Sequence, residues 1–96
     1  MPCLAKVKVK FYANFRRKYG VKEVEVDCDG GLKSLVEALN EKVKGVKEDI
    51  FDEKEGDVKG DVLFLINGVN VKTMDKAKIS FSDGDQVAIF PPIAGG

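Results

Sequence analysis

The apolar positions of this chain change period twice, and that change limits the fold more than any other feature. Over residues 5–13, Val7, Val9 and Phe11 alternate with Lys6, Lys8, Lys10 and Tyr12. Over residues 21–28, Val24 and Val26 alternate with Glu23, Glu25 and Asp27. A period of two is that of a strand with one buried face. Residues 14–20 between the two runs read as a loop, and a loop of that length favours an antiparallel hairpin with lysines of one strand facing glutamates of the other. At Leu32 the spacing becomes helical: Leu32, Leu35, Val36, Leu39 and Val43 share one side, and Lys33, Glu37, Glu41 and Lys44 the other. Gly45 ends the helix. With a single apolar stripe, the helix must lie on a sheet.

The second half returns to strand periodicity. Residues 46–61 are the most polar stretch, with Ile50 and Phe51 as its strong anchors, so a short helical turn followed by a mobile, solvated excursion over 53–60 is expected. Residues 62–67 are apolar on both faces, Phe64 and Ile66 one way, Leu63 and Leu65 the other. Asn67-Gly68 then signals a hairpin that returns over 69–71. Residues 72–79 read as irregular, and Ser82-Asp83-Gly84-Asp85 as a tight turn into a last strand over 86–90. The order strand, strand, helix, strand, strand, strand predicts an α+β fold: a small mixed sheet of four to five strands with one main helix packed on one face. One domain is expected over residues 1–90, with an extended tail over 91–96. A lone helix covers one face only. If the first strand lies between the last and the second, Tyr12, Leu63, Leu65, Ala88 and Phe90 converge on the other face as an exposed apolar patch.

The tail is the chemically unusual part. Residues 86–96 carry no ionisable side chain, and they finish Phe90-Pro91-Pro92-Ile93-Ala94-Gly95-Gly96. Pro91 and Pro92 cannot continue a ladder of backbone hydrogen bonds and bias their predecessors toward extended geometry, so they read as a stiff stalk. Gly95 and Gly96 have no Cβ and can enter a channel too narrow for other residues. Apart from the main-chain carboxylate of Gly96, nothing charged has to be desolvated when a partner takes up this segment. The tail therefore reads as a substrate for another protein.

Composition narrows the alternatives. Sixteen basic and sixteen acidic residues cancel and interleave. Lys6, Lys8 and Lys10 read as the solvated face of a strand rather than a nucleic-acid footprint. The longest apolar run, over 62–66, is far short of a membrane span, and a cytoplasmic protein is expected. The chain has no histidine, and Cys3 and Cys28 form no CxxC pair, so neither a metal set nor side-chain catalysis is expected. A hairpin would bring Cys3 and Cys28 near each other at its open end, which is compatible with a disulfide, although cytosolic thiols are usually reduced.

The segment Asp83-Gly84-Asp85-Gln86-Val87-Ala88-Ile89-Phe90-Pro91-Pro92-Ile93-Ala94-Gly95-Gly96 resembles the C-terminal signature of the MoaD family, the small sulfur-carrier subunits of molybdopterin synthase, within the ubiquitin-like β-grasp superfamily. The run Val7-Lys8-Val9-Lys10-Phe11-Tyr12-Ala13 with Arg16 is similar to that family's opening strand, and Leu65-Ile66-Asn67-Gly68 to its middle hairpin. The resemblance implies that a MoeB-like enzyme uses ATP to adenylate Gly96, and that sulfur then displaces AMP to leave a thiocarboxylate. It implies no cofactor bound to the chain itself. A MoaE-like large subunit would bind the apolar face, accept the tail, and direct sulfur onto cyclic pyranopterin monophosphate, on the way to a molybdenum or tungsten cofactor. Gly95, Ala94, Ile93, Pro92 and Pro91 would occupy the activating enzyme's channel, and Tyr12, Leu63, Leu65, Ala88 and Phe90 would contact the partner. A ThiS-like carrier for thiamin thiazole and a protein modifier joined through Gly96 to lysines share the activation step and remain open.

Overall fold

The computed structural model describes residues 5–75 and 78–91. In chain order the elements are β1 (Ala5–Phe11), α1 (Ala13–Tyr19), β2 (Glu23–Cys28), α2 (Leu32–Lys42), α3 (Val46–Ile50), β3 (Phe51–Asp52), β4 (Asp57–Val58), β5 (Leu63–Ile66), β6 (Val69–Asn70), a 3-10 turn (Val71–Thr73) and β7 (Gln86–Phe90). The main sheet has the order β2-β1-β7-β5-β6. Its central pair, β1 and β7, is parallel, and the other pairs are antiparallel. A parallel pair needs a long crossover, and the chain between these strands supplies it with α2 laid against one face.

The alternation explains the core. Val7, Val9 and Phe11 of β1, Val26 of β2, Phe64 of β5 and Val87 and Ile89 of β7 face α2, whose Leu35, Val36 and Leu39 are fully buried. Burying each such side chain contributes about 1.5–3 kcal/mol. Among the described residues no polar or charged residue is buried. The β1–β2 register sets Lys8 opposite Glu25 and Lys10 opposite Glu23, the charge pairing expected of the hairpin. The arrangement is the mixed sheet with one main covering helix that the element order predicts, and it has the β-grasp form that the family resemblance implies.

Two connections differ from their sequence reading. The expected loop over 14–20 is mostly the helix α1. Phe15 and Tyr19, four residues apart, share its inner side: Phe15 is buried, and Tyr19 packs edge-on to Phe11 at 5.1 Å. Gly20 closes the helix in the left-handed region, its N–H donating to the Arg16 carbonyl at 3.0 Å. Two apolar positions in seven residues are too few to register as a period, so only the tertiary contacts reveal the helix.

The expected excursion over 53–60 is also structured. After α3 the chain forms a second, two-stranded sheet in which Phe51 pairs with Val58 and Asp52 with Asp57. Asp52 Oδ1 accepts the Lys54 N–H at 3.0 Å and thereby organises the turn. Val58 is buried, and Lys59 N–H donates to the Ile50 carbonyl at 2.8 Å. The Lys72 ammonium donates to the Val58 carbonyl and lies 3.5 Å from Asp57 Oδ2, so the hairpin is clamped to the body.

Candidate functional site

The face of the sheet opposite α2 is built from the outward half of each strand's alternation. From the β2 edge inward, it presents the acidic Glu23, Glu25 and Asp27, then the basic Lys6, Lys8 and Lys10, then Ala88 and Phe90, then Leu63 and Leu65. The register places Leu63 beside Phe90 and Leu65 beside Ala88. Tyr12 follows β1 while still extended, its N–H donating to the Ile89 carbonyl at 3.1 Å. Its ring therefore lies flat on that of Phe90, with centroids 4.4 Å apart and planes within 9°. Ala13, at φ 53°, then turns the chain sharply into α1. The left-handed geometry is costly for a residue with a Cβ, and it takes the chain away just after Tyr12 has been seated.

All five side chains expected in the patch thus fall together. Leu63 is the most exposed at 39%, and Tyr12, Leu65, Ala88 and Phe90 are half-buried by their neighbours. Pro91 continues directly from β7 and is half-buried. Pro92, Ile93, Ala94, Gly95 and Gly96 lie outside the described residues.

The mouth of the patch is held by a polar network at the strand ends. Asn67, in the left-handed region at φ 51°, donates from its side-chain amide to Asp85 Oδ1 at 3.1 Å and accepts the Gln86 N–H at 2.9 Å. These bonds lock the Asn67-Gly68 turn against the start of β7 and fix the β5–β7 register. Beside the turn is a shallow depression of about 340 Å³, bounded by Lys10, Tyr12, Leu65, Gly68, Gln86 and Ala88. The sequence placed Lys10 with Lys6 and Lys8 on the solvated face of a strand, whereas the structure leaves it half-buried. Its alternation marked it as outward, but its apolar neighbours become visible only when β7 pairs with β1.

Elsewhere, a second cluster links α1 to α3. The Tyr19 hydroxyl donates to Asp49 Oδ2 at 2.5 Å, and Lys18 Nζ lies 2.8 Å from the same oxygen. Burial, reinforced by the hydrogen bond to Asp49 and its negative charge, pushes the Tyr19 phenol well above the usual tyrosine range. Burial alone would raise the Asp49 pKa, but hydrogen bonds from Lys18 and Tyr19 more than offset it and hold the carboxyl below its usual range. Cys28 is buried, and burial pushes its thiol pKa up, so it is not a poised nucleophile. Cys3, its expected neighbour, lies outside the described residues. Among the described residues no group of three or more histidine, cysteine, aspartate or glutamate side chains could hold a metal ion, and no helix is long and apolar enough to cross a membrane.

Known proteins share the fold over nearly the whole length of the chain. Small archaeal modifier protein 3 of Haloferax volcanii is 33% identical over 94% of this chain and 98% of its own length. The solution structure of small archaeal modifier protein 1 from Methanosarcina acetivorans matches with a TM-score of 0.78 at 29% identity, covering 98% of this chain and 99% of that one. A Pyrococcus furiosus protein provisionally named molybdopterin converting factor, subunit 1, matches with a TM-score of 0.66 at 32% identity, over 93% of this chain and 99% of that one. The sequence model of the ThiS family matches residues 9–96, from the second half of β1 through Gly95 and Gly96. With that match spanning the sheet, the apolar face and the diglycine, the chain belongs to the ThiS family of ubiquitin-like β-grasp proteins.

Proposed function

We propose that this chain is a cytoplasmic sulfur carrier that works by presenting its own C-terminal carboxylate, with the folded domain as the handle. The observation that carries the reading is continuity: the open apolar face, with Tyr12 stacked on Phe90, runs directly into Pro91, where the uncharged run of the sequence begins its last six residues. A protein that docks on Tyr12, Leu63, Leu65, Ala88 and Phe90 is positioned to receive that segment.

A carboxylate is a poor electrophile, because its charge repels nucleophiles and its leaving group is bad. A MoeB-like enzyme overcomes this with ATP. The Gly96 carboxylate oxygen attacks the α-phosphorus, pyrophosphate departs, and the carbonyl carbon now bears AMP as leaving group. A sulfur nucleophile then attacks that carbon and AMP leaves, giving the thiocarboxylate. Gly95 and Gly96 leave the carbonyl unhindered, Pro91 and Pro92 set the reach, and Ile93 and Ala94 line the channel contact. No side chain of the carrier takes part. In the MoaD-type outcome, a MoaE-like large subunit docks on the same face and the thiocarboxylate passes its sulfur to cyclic pyranopterin monophosphate. The similarity to the Pyrococcus furiosus protein supports that outcome.

A second reading is favoured by the 33% identity to a small archaeal modifier protein. In it, a lysine amine instead of sulfur attacks the activated Gly96 carbonyl and forms an isopeptide bond. A ThiS-type carrier for thiamin thiazole differs only in the acceptor. Intact-mass measurement after incubation with ATP, the activating enzyme encoded in the same genome and a sulfur donor separates the outcomes. Replacement of oxygen by sulfur at the C-terminus supports the carrier; adducts on lysines of other proteins support the modifier. An unchanged mass with an enzyme that is otherwise competent refutes both.

A further inference from the structure

The three lysines of β1 differ in their surroundings. Lys6 is exposed and stands with Glu25, Asp83 and Asp85 around a depression at the start of the strand. Lys8 is exposed and pairs with Glu23 at 3.6 Å. Lys10 is half-buried, and its neighbour across β7 is Ala88. Its cross-strand partner by register is Glu23, yet that carboxylate reaches to Lys8. Among the described residues no ion pair meets Lys10, and its side chain borders the depression shared with Tyr12, Leu65 and Ala88.

A cation on an apolar rim is unfinished. Covering the rim removes water from around the ammonium and lowers the local dielectric, which costs free energy unless a counter-charge arrives with the cover. The same lowered dielectric strengthens the attraction when a carboxylate does arrive. An all-apolar partner would strand the charge, and a basic one would be repelled. We infer that the protein which takes up the C-terminal segment for adenylation seats an apolar side chain in the Lys10–Leu65–Ala88 depression and flanks it with a carboxylate that pairs with Lys10. Lys10 is thus a specificity residue of the docking face. The inference rests on the activation reading above and adds the charge of the partner's contact.

The test is ATP–pyrophosphate exchange by the activating enzyme from the same genome, with the full chain as varied substrate. Lys10→Glu raises KM about tenfold with kcat within about twofold, and the penalty shrinks as salt is raised. Lys10→Gln, which places no like charge opposite Glu23, raises KM about threefold at an unchanged urea midpoint. Lys10→Arg stays near wild type. Lys6→Glu, on the same strand but among acidic side chains, changes KM less than about twofold. Equal KM effects for Lys10→Glu and Lys6→Glu, or a salt-independent Lys10→Glu penalty, overturn the inference while leaving the activation reading intact. Failure of the wild-type chain to support exchange overturns the activation reading and this inference with it.

Discussion

Phe90 and Phe64 sit on opposite faces of the sheet, on the directly paired strands β7 and β5, and truncating each to alanine separates docking from folding. Phe64 is fully buried against α2, so Phe64→Ala removes a whole ring from a packed core and costs about 3–5 kcal/mol. Phe90 is half-buried, and its main contact is the stacked Tyr12 ring at 4.4 Å. Losing that stack costs about 0.5–1.5 kcal/mol, and the partial burial adds a similar amount, so Phe90→Ala loses about 1–3 kcal/mol. In a domain of this size 1 kcal/mol shifts Tm by about 4–8 °C, so both variants are measurable and their order is clear. Docking reverses the order. A central aromatic truncated at an interface costs about 2 kcal/mol or more, roughly thirtyfold in affinity, whereas Phe64 touches no partner. Urea unfolding of both variants, with calorimetric titration against the activating enzyme at a temperature where both are folded, reads the two quantities separately. Phe90→Ala binding within about twofold of wild type removes it from the interface. A Phe90→Ala variant as unstable as Phe64→Ala shows that the ring is structural, and the docking argument from exposure fails.

Two further outcomes follow from other contacts. Tyr19 carries a raised phenol pKa in the folded state, so the unfolded chain gives up its proton first; stability is flat below the ordinary tyrosine value of 10.0 and falls as pH rises beyond it. Asp49, held low, contributes stability above the ordinary aspartate value of 3.8 that is lost as pH falls through its folded value. Urea midpoints across both ranges should show Asp49→Asn flattening both slopes; unchanged slopes refute the coupling. Lys72→Met, which removes the clamp on Val58 and Asp57, should accelerate amide exchange at Val58 and Lys59 about tenfold and lower global stability by less than about 1.5 kcal/mol. Unchanged protection there shows that Lys72 is a bystander.

Much of the fold was legible because local pattern and tertiary role agree. Val7, Val9 and Phe11 alternate in the sequence because one face of β1 meets α2, and Asn67-Gly68 reads as a turn because both residues occupy the left-handed region, at φ 51° and 86°. The connections were less legible. Seven residues of α1 and the two-residue strands β3 and β4 are held by Phe15, Val58 and Lys72 contacts to distant parts of the chain, and such contacts leave no local period.

The same division applies to the site. Composition and order alone determined that the sheet would have an uncovered face, that Tyr12, Leu63, Leu65, Ala88 and Phe90 would point toward it, and that the segment beyond Phe90 would be uncharged and end in two glycines. Only the tertiary structure decided how these parts meet. The parallel pairing of β1 with β7 sets the two strands side by side in the sheet. That pairing stacks Tyr12 on Phe90 and aligns Lys10 with Ala88, while on the other side of β1 Glu23 reaches to Lys8. A sequence period reports which face a side chain takes. It does not report its neighbour across the sheet, because strand order is chosen by the burial of the whole core.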